Sequence, residues 1–336
     1  MKTWLSEMVN LPQKQAFPLL SFPSVTLMGI TIPEFIMSSK LQAKGMKAIV
    51  DHVPTLAAMG TLDMSLEAER FGCPIRITDR EVPMVARHIV KNEAQAEELS
   101  VPDVAQGRTK IAVEAARLAA ATIKDRRIFA SCIGPYSLTG RLMGVSELMI
   151  DCYENPKLVH TIMKKSTEFL IHYIHAFKQV GAHAIIMAEP LTGLLPLTLA
   201  EEFSTPYVKQ ICEAVRDRSF LLIYHNCGNS TIAIIKSILS IGADAYHFGN
   251  AINMEKMLQI VPSDTIVMGN LDPVLTLLMG TPESVYQETM QLLQVCCRHQ
   301  NYVISTGCDV PVATPWENID AFFYAIEAYN RAARYD

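Results

Sequence analysis

Beyond the first hundred residues, two hydrophobic periodicities alternate along the chain. Short apolar runs rich in Ile, Val, Leu and Phe end in polar or small residues. They are Ile128–Cys132, Ala184–Ala188, Leu221–Tyr224, Ala245–Phe248, Ile266–Met268 and Tyr302–Ser305. Continuous apolar runs of this length predict parallel strands buried on both faces. Between them lie segments with apolar residues at helical spacing: Lys110–Ile123, Pro156–Gln179, Thr198–Val215, Thr231–Ser240, Pro282–Arg298 and Pro315–Arg334. Several open with proline in the first turn, where a missing N–H breaks no helical hydrogen bond. Alternating strand and helix predicts the α/β class. No Gly-x-Gly-x-x-Gly follows a strand, so an open dinucleotide-binding sheet lacks its phosphate turn. The pattern predicts a distorted (β/α)8 TIM-type barrel, a single domain over residues 1–336, with about residues 1–105 as an irregular cap and first barrel elements.

Composition narrows the function. Half of the 336 residues are hydrophobic and 19% are charged, enough apolar material for a large core and too much for disorder. A net charge of −5 argues against a nucleic-acid partner, which needs a basic footprint. No polybasic run marks a membrane surface. The uncharged stretch from Ala16 to Pro33 contains Pro18, Pro23 and Gly29, so it reads as strand and turn instead of a membrane span. The opening residues lack the apolar core of a signal peptide. Eight cysteines without a dense framework predict free thiols in a reducing cytoplasm.

The candidate chemistry lies at the strand ends. His225-Asn226-Cys227, followed about eighty residues later by Cys308, offers one imidazole and two thiols, a ligand set that zinc prefers. One intervening residue on an extended segment points His225 and Cys227 to the same side. Three protein ligands leave a position for a substrate or a fourth ligand, the mark of catalytic zinc. Two buried cysteines are the alternative, since free cysteine is often core. In barrels of this kind the active site surrounds the C-terminal strand ends. That rule collects Glu189, His225, Cys227, His247, Asn250, Asn270, Asp272 and Cys308 around one mouth. Glu189 before Pro190 also fits a loop cap, His247 a satisfied core histidine, and Asn270 and Asp272 a strand-to-helix turn. Cys73, Cys132, Cys152 and Cys212 read as core. Cys296-Cys297 read as one core and one exposed thiol.

Four segments carry a family resemblance: Gly134-Pro135-Tyr136-Ser137-Leu138-Thr139-Gly140, Gly242-Ala243-Asp244-Ala245, Gly269-Asn270-Leu271-Asp272-Pro273 and Thr314-Pro315-Trp316-Glu317-Asn318. In this order, over most of the chain, they resemble the uroporphyrinogen decarboxylase superfamily, whose fold is a distorted barrel. His225, Cys227 and Cys308, with the segment Asp63 to Cys73, are similar to its zinc-dependent corrinoid methyltransferases of the methylcobamide:coenzyme M type. The resemblance implies Zn2+ held by His225, Cys227 and Cys308, with Glu189 as fourth ligand or supporting partner. It implies a methylated corrinoid on a separate small corrinoid protein, and a coenzyme M-like thiol as acceptor. Asp63 and His247 join Glu189 as catalytic candidates, and Asn250, Asn270 and Asp272 as cofactor contacts. The reverse transfer, from a methyl donor to Co(I), is the main alternative. Decarboxylation and a non-catalytic corrinoid-protein-binding module follow. Decarboxylases present N-terminal arginines to their substrate, whereas this chain has none before Arg70. Their late Leu-Gly-His-Gly becomes Thr306-Gly307-Cys308-Asp309 here. With no Asp-x-His-x-x-Gly stretch, no resident corrinoid is expected.

Overall fold

The apolar runs assemble into one curled parallel sheet. In the computed structural model, which describes residues 2–333, the strands are β1 (Ala57–Met59), β2 (Ile75–Arg76), β3 (Met84–Val85), β4 (Arg127–Ile133), β5 (Ala184–Ala188), β6 (Leu221–Asn226), β7 (Ala245–Phe248), β8 (Ile266–Leu271) and β9 (Tyr302–Thr306). Seven of them run parallel in the order β1-β4-β5-β6-β7-β8-β9, while β2 and β3 form a separate antiparallel pair. Near Ala16 the chain spans the gap between the sheet's two edges. Ala16 bridges Thr55 on one side and Ile304 on the other, both parallel. The Leu56 amide donates to Ala16 O at 2.8 Å and the Phe17 amide to Ile304 O at 2.9 Å. A segment one residue wide thus takes the place of an eighth strand in a TIM-type fold.

Side-chain parity divides the core. Phe17, Leu19, Ala57, Met59, Phe129, Ala184, Ile186, Leu221, Ile223, Ala245, Ile266, Met268 and Val303 pack together inside the sheet. The alternate residues, such as Leu222, Tyr224, Tyr246, Phe248, Tyr302 and Ile304, pack against the surrounding helices. Extended backbone sends successive side chains to opposite faces, so His225, His247 and Ser305 continue the inward set two residues beyond Ile223, Ala245 and Val303.

The helices follow the periodicity, with three departures. Thr198–Val215 divides at Ser204 into Leu197–Phe203 and Thr205–Val215, because Pro206 cannot donate to the preceding turn and opens a new helix instead. Thr231–Ser240 shortens to Ile235–Ser240. There the Thr231 hydroxyl donates to Asn226 Oδ1 at 2.6 Å, which also accepts the Gly228 amide at 3.0 Å, and this loop competes with helix. The last helix spans Trp316–Ala332, and Arg334 lies outside the described residues. The uncharged stretch holds the barrel-closing segment and the short helices Ser24–Met28 and Ile32–Ile36. Among the described residues, no helix is long and apolar enough to cross a membrane.

Candidate metal centre

The end of β6 and the turn after β9 bring three donors together. One ligand atom each from His225, Cys227 and Cys308 lies within 4.8 Å of the others. Cys308 Sγ stands 3.8 Å from His225 Nε2. Around a tetrahedral zinc ion such donors sit about 3.5–3.8 Å apart, so side-chain rotations that draw the donors together by about 1 Å, with both backbone turns in place, would close the set on one ion. His225 is buried, whereas both cysteines are partly exposed, so the donors open outward.

Two glycines make this approach possible. A Cβ on Gly249 would stand 2.4 Å from the Cβ and 2.5 Å from the Cα of Cys227. A Cβ on Gly307, beside Cys308, would meet the Asn250 amide nitrogen at 2.4 Å. The loop after β7 therefore lies directly against both cysteine-bearing turns.

The two thiols behave as a pair. Their mutual hydrogen bond draws Cys227 below the ordinary thiol range against the effect of burial. The same bond, with burial, pushes Cys308 up to about 12. The hydrogen bond thus favours loss of a proton from Cys227 before Cys308. A divalent cation removes that difference, because a coordinating thiol gives up its proton outright.

Behind His225 runs a chain of polar groups. His225 and His247 are direct partners across β6 and β7, and their Nδ1 atoms are 2.8 Å apart. His247 Nε2 lies 2.7 Å from Ser305 Oγ, and that hydroxyl donates to the backbone carbonyl of Phe17. Burial, then the neighbouring His225, holds His247 well below its usual range. His247 is thus a neutral partner of a candidate ligand. Ser305 had no signal of its own in the sequence; its inward parity with Val303 is what exposes it.

The other strand-end residues take different places. Glu189 accepts the Tyr136 amide at 2.9 Å and the Ser137 amide at 2.6 Å, capping the helix Pro135–Met143. Both its oxygens are engaged there, and it is not part of the three-donor group. Burial, offset by those bonds, raises it to about 7. Asn270, expected to contact a cofactor, donates to Gly249 O at 2.9 Å and Ile252 O at 2.7 Å. Asp272 accepts the Val274 and Leu275 amides and the Asn250 side chain, fixing the turn after β8. Together Asn250, Asn270 and Asp272 brace the loops flanking the cysteines. Asp63, expected to be catalytic, is a buried partner of the Arg108 guanidinium and accepts the Ser65 amide and hydroxyl. Nearby Glu67 is buried, pushed up to about 8 by that burial, and leaves Oε2 without a hydrogen bond. Cys73, Cys132, Cys152, Cys212 and Cys296 are buried and Cys297 is partly exposed, as core packing requires.

Comparison with known proteins adds a lineage. The family model described as uroporphyrinogen decarboxylase (URO-D) matches residues 14–329. A Methanosarcina acetivorans protein named methylcobamide:CoM methyltransferase MtbA is 28% identical over 272 residues, 80% of this chain and 78% of that protein. A uroporphyrinogen decarboxylase from an Anaeromyxobacter species is 26% identical over 287 residues, covering 84% and 78%. A solved structure of a methyltransferase from Methanosarcina mazei superposes with a TM-score of 0.87 over 98% of both chains. At 21% identity it shows a common fold.

Proposed function

This chain belongs to the uroporphyrinogen decarboxylase family, and within it we propose a zinc-dependent methyltransferase that moves a methyl group from a corrinoid to a thiol such as coenzyme M. The corrinoid arrives on a separate small protein. One observation carries the reading: His225, Cys227 and Cys308 present an imidazole and two thiols within 4.8 Å of one another at the barrel mouth. Methyltransferase relatives agree with it. The decarboxylase reading is weaker because the chain has no arginine before Arg70 and carries Cys308 where decarboxylases have histidine.

Bound zinc would supply one thing, a thiol held as thiolate at neutral pH without a general base. The protein's own residues do the rest. Cys227 and Cys308 contribute two negative charges that offset the cation and keep a third sulfur electron-rich. His225 fixes the site to the barrel wall. The reaction breaks the Co–CH3 bond with its electron pair left on cobalt, giving Co(I). A carbon–sulfur bond forms, and the thiol proton passes to solvent.

The test is incubation of purified protein with methylcobalamin and a panel of thiols, following the methylcobalamin spectrum. The proposal expects thiol-dependent loss of that spectrum, abolished in Cys308→Ala. No loss with any thiol class, together with methylation of Co(I) from a methyl donor, would reverse the assigned direction.

A further inference from the structure

We infer that Ser305 and His247 form a positioning relay that locks His225 in one tautomer, with its Nε2 lone pair facing Cys227 and Cys308. This inference rests on the metal-site reading above, but its physical basis is proton counting within the chain. Phe17 O has no proton to give, so the Ser305 hydroxyl hydrogen must point to it. Ser305 Oγ can then only accept from His247 Nε2, 2.7 Å away. A neutral imidazole carries one N–H, which places the proton of His247 on Nε2 and leaves its Nδ1 an acceptor. His225 Nδ1, 2.8 Å from that atom, must therefore be the donor. In neutral His225 the remaining nitrogen, Nε2, is then bare, and it faces Cys308 Sγ. The alternative is a doubly protonated His247. It would bury a cation at 0% exposure with no carboxylate among the described residues hydrogen-bonded to either ring, and it would take the lone pair from His225 Nε2 whenever His225 is neutral.

The relay ends in the barrel-closing segment, and that segment holds a second ligand too. The Leu19 amide donates to Thr306 Oγ1 at 3.0 Å, and the Thr306 hydroxyl donates to Cys308 O at 2.8 Å. The Val310 amide donates to Leu19 O at 2.9 Å, and Ser21 Oγ reaches Asp309 Oδ1 at 3.1 Å. Residues Phe17 to Ser21 thus set the tautomer of one ligand and the position of another. The one-residue stave that closes the barrel is also the support of its metal centre.

The experiment is imidazole 15N NMR on metal-free protein, paired with zinc affinity by chelator competition. The relay predicts His225 protonated on Nδ1 and bare on Nε2 before any metal is added. Ser305→Ala should mix the two tautomers and weaken Zn2+ binding about 10- to 100-fold, the usual effect of losing an outer partner, while Ser305→Thr, which keeps the hydroxyl, restores both. His225 protonated on Nε2 in the wild-type apo protein overturns the inference, whether or not the alanine variant folds. So does a folded Ser305→Ala protein with unchanged tautomer and affinity. Wild-type protein that shows the Nδ1–H tautomer but binds no zinc supports the relay and defeats the metal reading instead.

Discussion

Gly249 supplies a sharp test of whether the loop after β7 places the metal ligands. In Gly249→Ala the new methyl would stand 2.4 Å from the Cβ and 2.5 Å from the Cα of Cys227, where ordinary contact begins at 3.4 Å. One of the two turns must move by about 1 Å, and no rotamer change relieves a clash with a Cα. Zinc–ligand distances tolerate deviations of about 0.2 Å. Where the Cys227 turn takes up that shift, its backbone moves by roughly five times the tolerance of a metal–ligand distance, and Cys227 is lost as a ligand. Overpacking of this kind costs about 1–3 kcal/mol of stability, which a chain of this size survives. Gly249→Ala should therefore purify as a folded protein with a modestly lowered melting temperature. It should retain well under one zinc per chain by elemental analysis, and its zinc affinity should fall more than about 100-fold, beyond the loss of an outer-shell partner alone. Stoichiometric zinc at wild-type affinity in that variant would refute the argument that this contact governs the site.

Three further outcomes follow from the geometry. Cys308→Ala should lose metal retention while its far-UV circular dichroism stays unchanged, since the barrel core does not depend on that side chain; unfolding of the variant would indicate structural zinc. Asp63→Asn should cost about 2 kcal/mol in urea denaturation and leave metal content intact. The cost is below the roughly 3–5 kcal/mol of a stripped buried pair because Glu69 still faces Arg108, and loss of activity without loss of stability would restore a catalytic role for Asp63. Glu67, raised to about 8, keeps its proton in the folded state after the unfolded chain has lost it. Its contribution to stability is complete below about pH 4.5 and is lost as pH rises toward 8. Glu67→Gln should therefore flatten the decline of the urea midpoint over that window, and an unchanged slope would show that the carboxyl is already ionised.

Much of this arrangement was legible in the residues, for identifiable reasons. Strands such as Ala184–Ala188 and Ala245–Phe248 announced themselves because burial on both faces demands continuous apolar runs. β1 did not, since Ala57-Ala58-Met59 is short and lacks β-branched residues. The stretch from Ala16 read as strand and turn, but its place between the two sheet edges was not legible, because it pairs through a single residue. His225, Cys227 and Cys308 stood out by side-chain chemistry, which local sequence preserves. The partners of the other candidates did not stand out, because they come from distant elements. Glu189 caps a helix that begins more than fifty residues earlier, with Ser137 lying 52 residues before it. His247 meets Ser305 across 58 residues, and nothing near either one signals the other.

The central claim is that three protein ligands leave one position for a thiol. X-ray absorption at the zinc K edge reads it directly, with and without added thiol. Two sulfur and one nitrogen scatterer from the protein should become three sulfurs and one nitrogen, with sulfur distances near 2.3 Å. A spectrum that keeps two sulfurs at saturating thiol would contradict the account and mark the zinc as structural.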